Sequence, residues 1–394
     1  MEAHLTPEAV LPADGTEGTL LGRAWVPGDP AGPSPVAVRA EGVVDLSGVA
    51  PTLAELLAAP DALALARAEG PVIGSLAAVL ANSAPERRDP GQPHFLAPVD
   101  LQVLKASGVT FATSLLERVI EEQARGDASK AEAIRSTITD VIGTDLSQIV
   151  PGSDSAQRLK AHLVEQGAWS QYLEVGIGPD AEVFTKGPVL SAVGPGAEIG
   201  IRRDSTWNNP EPELVAVVDP QGEIKGATLG NDVNLRDFEG RSALLLGKTK
   251  DNNASTALGP FVRLLDESFT LEDLRRTTVS LKVVGEDGFE LAGTSSMSEI
   301  SRDITDLVGQ TIGPNHQYPD GFILFAGTMF APIEDRDAPG QGFTHKPGDT
   351  VTISCPELGA LTNRVVFCDQ APPWDFGVAA LMRNLAARGL LRGG

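Results

Sequence analysis

The sequence predicts an α+β fold rich in β-structure, and three observations predict it. Glycine and proline are abundant, 42 and 29 of 394 residues, while aromatic residues make up only 5%. That is the composition of many turns between short strands. From about residue 172 onward apolar residues recur largely with period two, as strands on a half-buried sheet require. A smaller set of segments repeats instead at i, i+3 and i+4, the spacing of amphipathic helices.

Taken in order, residues 20–26 (LLGRAWV) and 42–48 (GVVDLSG) read as strands, and 52–58 (TLAELLA) and 61–68 (DALALARA) as helices. Residues 85–93 (PERRDPGQP) combine Pro, Gly and both signs of charge and read as a linker. This places a boundary near residue 95, with a smaller N-terminal α/β domain over 1–95 and the main domain over 96–394. Residues 114–126 carry Leu115, Leu116, Val119 and Ile120 at helical spacing, and 129–143 and 154–167 continue the pattern. Together they form a helical insertion of about 115–168. Period two then governs 173–178 (LEVGIG), 182–187, 198–203, 213–218 and 223–229, a strand-rich block follows over 277–366, and a helix over 377–391 closes the chain.

The formal charge of −22 argues against a nucleic-acid partner, which would need clustered Lys and Arg. A small anionic substrate remains compatible, in a locally positive pocket. The first residues are acidic and lack the basic start and apolar run of a secretory signal, and no stretch is apolar enough to span a membrane. With Cys355 and Cys368 as the only cysteines, a disulfide framework is excluded and a cytoplasmic setting is expected, both thiols buried and inert.

Within this frame, NNPEPELVAVV (208–218) places Glu211 and Glu213 at alternate positions, on one face of the predicted strand with Val215 and Val217. The sequence Asp219-Pro220-Gln221-Gly222 is a turn signature. Counting outward from an Asp219–Gly222 pair sets Glu211 opposite Gly230 and brings Asp232 to the same face. Three carboxylates then converge, an all-oxygen set suited to Mg²⁺ or Mn²⁺, with Ca²⁺ less suited. The alternative is a pair of acids facing solvent on an edge interrupted by Pro212.

These residues resemble the metal-binding core of the fumarylacetoacetate hydrolase superfamily: E-x-E on one strand, then an Asp in the N-D-x-x-x-R-D context of GATLGNDVNLRDFEG (226–240). PDAEVFTKGPVLSAVGPG (179–196), LAGTSSMS (291–298), DGFILFAGT (320–328) and HKPGDTV (345–351) resemble further family segments, so the likeness covers roughly 96–366. It implies a mixed β-sandwich roll for the main domain and a dimer or tetramer. Hydrolases of the superfamily carry N-Y-x-x-H-x-x-E at the start of this domain. Here the matching stretch is Thr110-Phe111-Ala112-Thr113-Ser114-Leu115-Leu116-Glu117, with Ser114 at the His position. That departure, the insertion and the context of Trp207 are similar to the 2-keto-3-deoxy-pentonate dehydratase branch, whose substrates are small 2-oxo acids.

The resemblance implies roles residue by residue. Glu211, Glu213 and Asp232 hold the cation, Mg²⁺ with Mn²⁺ as the substitute. Lys250 is the base or proton shuttle, with a pKa expected to fall beside the cation and Lys248 as its alternative. Glu117 protonates or orders the leaving water, or forms a capping box with Ser114 at the helix start. Thr294 and Ser295 bind the substrate carboxylate, or form a plain turn. Arg236 clamps substrate or pairs with Asp237, Lys186 balances the acids, and Thr110 and Phe111 border the substrate. Two other readings stand beside the dehydratase: an acylpyruvate-type C–C hydrolase, disfavoured by Ser114, and a metal-binding scaffold without catalysis.

Overall fold

The period-two segments fold into two sheets in this computed structural model, which describes residues 1–131, 134, 149–165, 167, 169–330 and 332–391. The strands are β1 (Leu20–Val26), β2 (Gly32–Arg39), β3 (Gly42–Asp45), β4 (Val72–Gly74), β5 (His94–Leu96), β6 (Val103–Ser107), β7 (Val183–Gly187) and β8 (Glu198–Ile201). They continue as β9 (Pro212–Val218), β10 (Ile224–Asp232), β11 (Thr256–Leu264), β12 (Thr278–Val284), β13 (Glu290–Ser296), β14 (Phe322–Phe325), β15 (Thr350–Cys355) and β16 (Gly359–Phe367). The larger sheet runs β4-β3-β2-β1-β11-β10-β9-β14-β6-β7 with β5 against β1, and the smaller runs β13-β12-β15-β16-β8. Among the described strands only the β14–β6 and β16–β8 pairs are parallel.

Alternation along the strands sends side chains to two cores. Leu214, Ala216 and Val218 of β9 pack with Val279, Leu281, Val283, Ile353 and Leu361 of the smaller sheet. Val215 and Val217 point the other way, toward Ile323, Phe325, Leu53 and Leu56. Each such buried Val or Leu contributes about 1.5–3 kcal/mol relative to exposure. β9 is therefore buried on both faces. The edge-strand alternative for Glu211 and Glu213 is excluded, because β9 has β10 on one side and β14 on the other.

The sheet crosses the boundary expected near residue 95. Leu20 and Leu21 of β1 pair with Arg263 and Val262 of β11, so the N-terminal strands extend the main sheet. All of these N-terminal pairings are antiparallel. β2 escaped the sequence reading because Pro33 and Pro35 look like turn residues. Both lie outside the β2–β3 ladder, which begins at Val36, so their missing N–H groups interrupt nothing there.

Of residues 173–178, read as a strand, 173–177 are helical and Gly178 caps the helix end. Ser170 caps a helix over Gln171–Ile177 by accepting from Tyr172 N. Tyr172, Leu173, Gly176 and Ile177 face inward on it, and Gly176 leaves room for Leu115, whose Cδ2 would stand 2.7 Å from an added Cβ. The Ala112–Ala124 and Asp154–Glu165 helices share that core through Val119, Ile120 and Leu163. The helical pattern at 129–143 lies mostly outside the described residues. Cys355 is buried as expected, but Cys368 is only partly so. Among the described residues no helix is long and apolar enough to cross a membrane.

Candidate metal centre

The Asp219–Gly222 turn forms, with Gly222 N donating to Asp219 O, but Asp219 N also donates to Glu223 O, which lengthens the loop. A bulge between Ile224 and Gly226 adds a second residue. The register therefore moves by two from the expected one: Glu213, not Glu211, is opposite Gly230, and Asp232 N donates to Glu211 O at 3.0 Å. An even shift keeps every side chain on its face. Glu211, Glu213 and Asp232 are all buried and each offers an oxygen within 4.8 Å of the others.

Three cations surround these three acids. Lys250 Nζ lies 2.5 Å from Glu211 Oε2 and 3.0 Å from Asp232 Oδ2. Lys186 Nζ lies 3.0 Å from Asp232 Oδ1 and donates to the Lys250 carbonyl. Arg118 donates to Glu211 and, through Nη1 at 2.6 Å, to Glu121. Glu213 has no ion pair among the described residues; it accepts from Gly327 N at 2.7 Å and from Thr328 Oγ1 at 3.4 Å. Gly327 has φ +102, and a Cβ there would fall 2.1 Å from Thr110 Oγ1, so only glycine presents this N–H.

The electrostatics separate the acids. Burial alone would raise the Glu211 carboxyl, yet Arg118 and Lys250 hold it down to about 2. Burial, reinforced by Asp232 and Glu211, pushes Glu213 well up. Glu239, 3.5 Å from Arg118 Nε, is pushed up to about 7, first by burial. A buried carboxyl beside two others and without a cation of its own fits a hard divalent ion, whose charge would release its proton. For Lys250, burial would lower the pKa, but Asp232, Glu211 and Glu239 outweigh it and raise the group above its ordinary value. Burial lowers Lys186.

Other expected residues are placed differently. Lys248 turns outward, 3.6 Å from Asp204 and over the Phe238 ring. The Ser114–Glu117 capping box does not form: Phe111 is the N-cap and Ser114 Oγ donates to Phe111 O. Ser114 and Arg118 both line the small cavity at the acids, together with Glu182, Glu239 and Lys250. Glu117 is buried with Arg236 Nη2 at 3.6 Å. Arg236 does not pair with Asp237; its Nε donates to Glu121 at 2.6 Å and its Nη1 to Pro332 O, beneath Trp207. Asp237 accepts instead from Ser205 Oγ and Thr206 N. Thr110 donates to Ala326 O, and Phe111 is buried in the core between the sheets. Thr294 and Ser295 lie on β13, paired with Ser280 and Val279 at the edge of the smaller sheet, and do not line that cavity.

Arg118, Glu121, Glu239, Gly327 and Thr328 were missed. Signals existed for three of them: Arg118 follows Ser114 by four residues and so shares its helix face, and Gly327 and Thr328 end the family-like segment 320–328.

A two-sheet fold with three buried carboxylates and a lysine between them defines a class that sequence comparison names. The fumarylacetoacetate (FAA) hydrolase C-terminal family matches residues 155–366, and the chain belongs to that family. Among individual relatives, the 2-dehydro-3-deoxy-D-arabinonate dehydratase of Saccharolobus solfataricus is 33% identical over 184 residues, covering 47% of this chain and 58% of that protein. The probable 2-keto-3-deoxyxylonate dehydratase of Haloferax volcanii is 32% identical over 194 residues, covering 49% of this chain and 63% of that protein. The chain thus spans less than two thirds of the length of either. Among solved structures, 2-keto-3-deoxy-D-arabinonate dehydratase in its apo form has a TM-score of 0.60 at 21% identity, covering 88% of this chain and 98% of that one. The same enzyme complexed with magnesium and 2,5-dioxopentanoate has a TM-score of 0.59 with the same identity and coverage. These structures share the fold.

Proposed function

We propose that this protein is a Mg²⁺-dependent hydro-lyase that converts a 2-keto-3-deoxy-pentonate to 2,5-dioxopentanoate and water, in the cytoplasm, as a homo-oligomer. The observation that carries the reading is Lys250 Nζ within 3.0 Å of two of three convergent buried carboxylates, Glu211 and Asp232. Relatives named as dehydratases supply the substrate class. Glu211, Glu213 and Asp232 would hold Mg²⁺, or Mn²⁺ in its place, which would supply Lewis-acid stabilisation of the charge developing at the C2 oxygen.

The chain's own groups move the protons. The reaction removes a proton from C3 and hydroxide from C4, which leave as water; the resulting C3=C4 enone then loses one proton from C5 and the proton of the C5 hydroxyl and gains one proton at C3 and one at C4, leaving an aldehyde at C5. Lys250 is the carrier. Where Glu211 and Asp232 would hold a cation, the Lys250 ammonium would lose the two acceptors that favour it, and its amine would serve as a base. Glu117, one helical turn from Ser114, orders the departing water, and Lys186 pairs with Asp232 from the other side. Arg236 orients Glu117, whereas Thr294 and Ser295, on β13 away from the cavity, have no part in the step. Ser114 frames the reacting carbons from the cavity wall, while Thr110 and Phe111 support that wall from behind it. Ser114 cannot activate water as an imidazole would, so the C–C bond is left intact.

The test is incubation of the purified protein with each 2-keto-3-deoxy-pentonate plus Mg²⁺, with acetylpyruvate in parallel. Semialdehyde formation from at least one pentonate, without acetylpyruvate cleavage, is expected. Cleavage of acetylpyruvate with no semialdehyde would replace the dehydratase by a hydrolase.

A further inference from the structure

A second cleft, of about 270 Å³, shares no lining residue with the metal centre. Its floor is β1, where alternation puts Arg23 and Trp25 on one face, and both line the cleft. Its outer wall is the segment carrying Trp374 and Phe376, which Asn253 tethers by donating from Nδ2 to Cys368 O and Pro372 O. Phe376 meets Trp25 edge-on, with ring centroids 5.3 Å apart. Trp374 is 47% exposed at the mouth, a large aromatic surface left uncovered.

Arg23 is the unusual member. It is 6% exposed in the middle of a strand, yet no carboxylate among the described residues lies within ion-pair distance. Among the described residues its one acceptor is Val99 O, at 2.5 Å from Nη1. Asp100, the acid whose field reaches it, gives its oxygens to the N–H groups of Leu53, Ala54 and Leu101. A buried guanidinium has five donors in a planar fork and costs free energy until they are met. A planar anion answers it. The aromatic walls select a flat apolar frame, and because Glu198 and Asp375 at the lining already offset Arg88 and Arg23, more than one negative charge is disfavoured.

We propose that this cleft binds a monocarboxylate carried on a flat aromatic or conjugated frame, its carboxylate on Arg23 and its ring between Trp25 and Trp374. Calorimetric titration of the full chain with benzoate, benzamide and cyclohexanecarboxylate tests it. Benzoate should bind at least about tenfold more tightly than either control, because benzamide lacks the charge and cyclohexanecarboxylate the flat face. Trp374→Ala, at an exposed position, should weaken benzoate roughly fivefold or more while leaving turnover of the pentonate unchanged. Arg23→Gln should abolish benzoate binding. Should that variant fail to fold, Trp374→Ala and the benzamide comparison still decide. Equal affinity for benzoate and benzamide, indifference to Trp374→Ala, or no heat of binding up to about 10 mM benzoate would each overturn the proposal.

Discussion

Lys250 Nζ stands 3.0 Å from Asp232 Oδ2, buried among the carboxylates that would receive a divalent ion. Its neighbour two residues earlier, Lys248, is partly exposed and held by Asp204. The two lysines should therefore behave differently. Lys250→Met is expected to lower turnover by at least about a hundredfold through loss of proton transfer. The same change removes a competing cation and should tighten Mn²⁺ binding by roughly tenfold. Lys248→Met should alter neither. Equal losses in the two variants would remove Lys250 from the chemistry.

Glu213 has no cationic partner among the described residues, and Asp232 is shared by Lys186 and Lys250. Glu213→Gln and Asp232→Asn should each weaken Mn²⁺ by more than the ten- to hundredfold that loss of an outer partner typically costs. Thermal midpoints without metal should hold or rise for Glu213→Gln, because a buried carboxyl that resists ionisation is replaced by a neutral amide. Titration calorimetry and thermal scans read the two effects separately.

Gly327 connects the backbone to the centre through its N–H on Glu213. Gly327→Ala places a methyl 2.1 Å from Thr110 Oγ1 at a φ of +102. A loss of about 1–3 kcal/mol is expected from denaturant unfolding, with weakened Mn²⁺ binding as the N–H moves off the carboxylate.

His94 is 8% exposed and its Nδ1 has no hydrogen-bond partner among the described residues. Burial, helped by Arg88, lowers its pKa from 6.5 to about 4. Between those values the unfolded chain takes the proton and the folded chain does not. Stability should therefore fall as pH drops from 6.5 to 4, by up to about 3 kcal/mol from this one group. His94→Gln should remove that part of the slope in unfolding curves across the window, and an unchanged slope would show the imidazole already charged in the fold.

The acidic centre was legible because strand parity is robust. The predicted hairpin was wrong by two residues, from a longer loop and a bulge at Lys225, and an even error leaves Glu211, Glu213 and Asp232 on one face. Residues 173–178 were misread because LEVGIG alternates in a strand-like way, while the Ser170 cap and packing against Leu115 make it a helix. The ion pair of Arg118 with Glu211 joins positions 93 apart, a relationship no local pattern encodes. The same limit hid the β1–β11 pairing, which only the finished sheet reveals.

That pairing changes what a cut in the exposed Glu86–Gly91 loop would do. Since Leu20 and Leu21 stay hydrogen-bonded to Val262 and Arg263, and Asn384 and Arg388 from the closing helix grip Ala31 and Pro33, the two fragments should co-elute after proteolysis instead of drifting apart. Deleting the first ninety residues would instead strip β11 of its neighbour and leave a raw hydrophobic edge open to self-association.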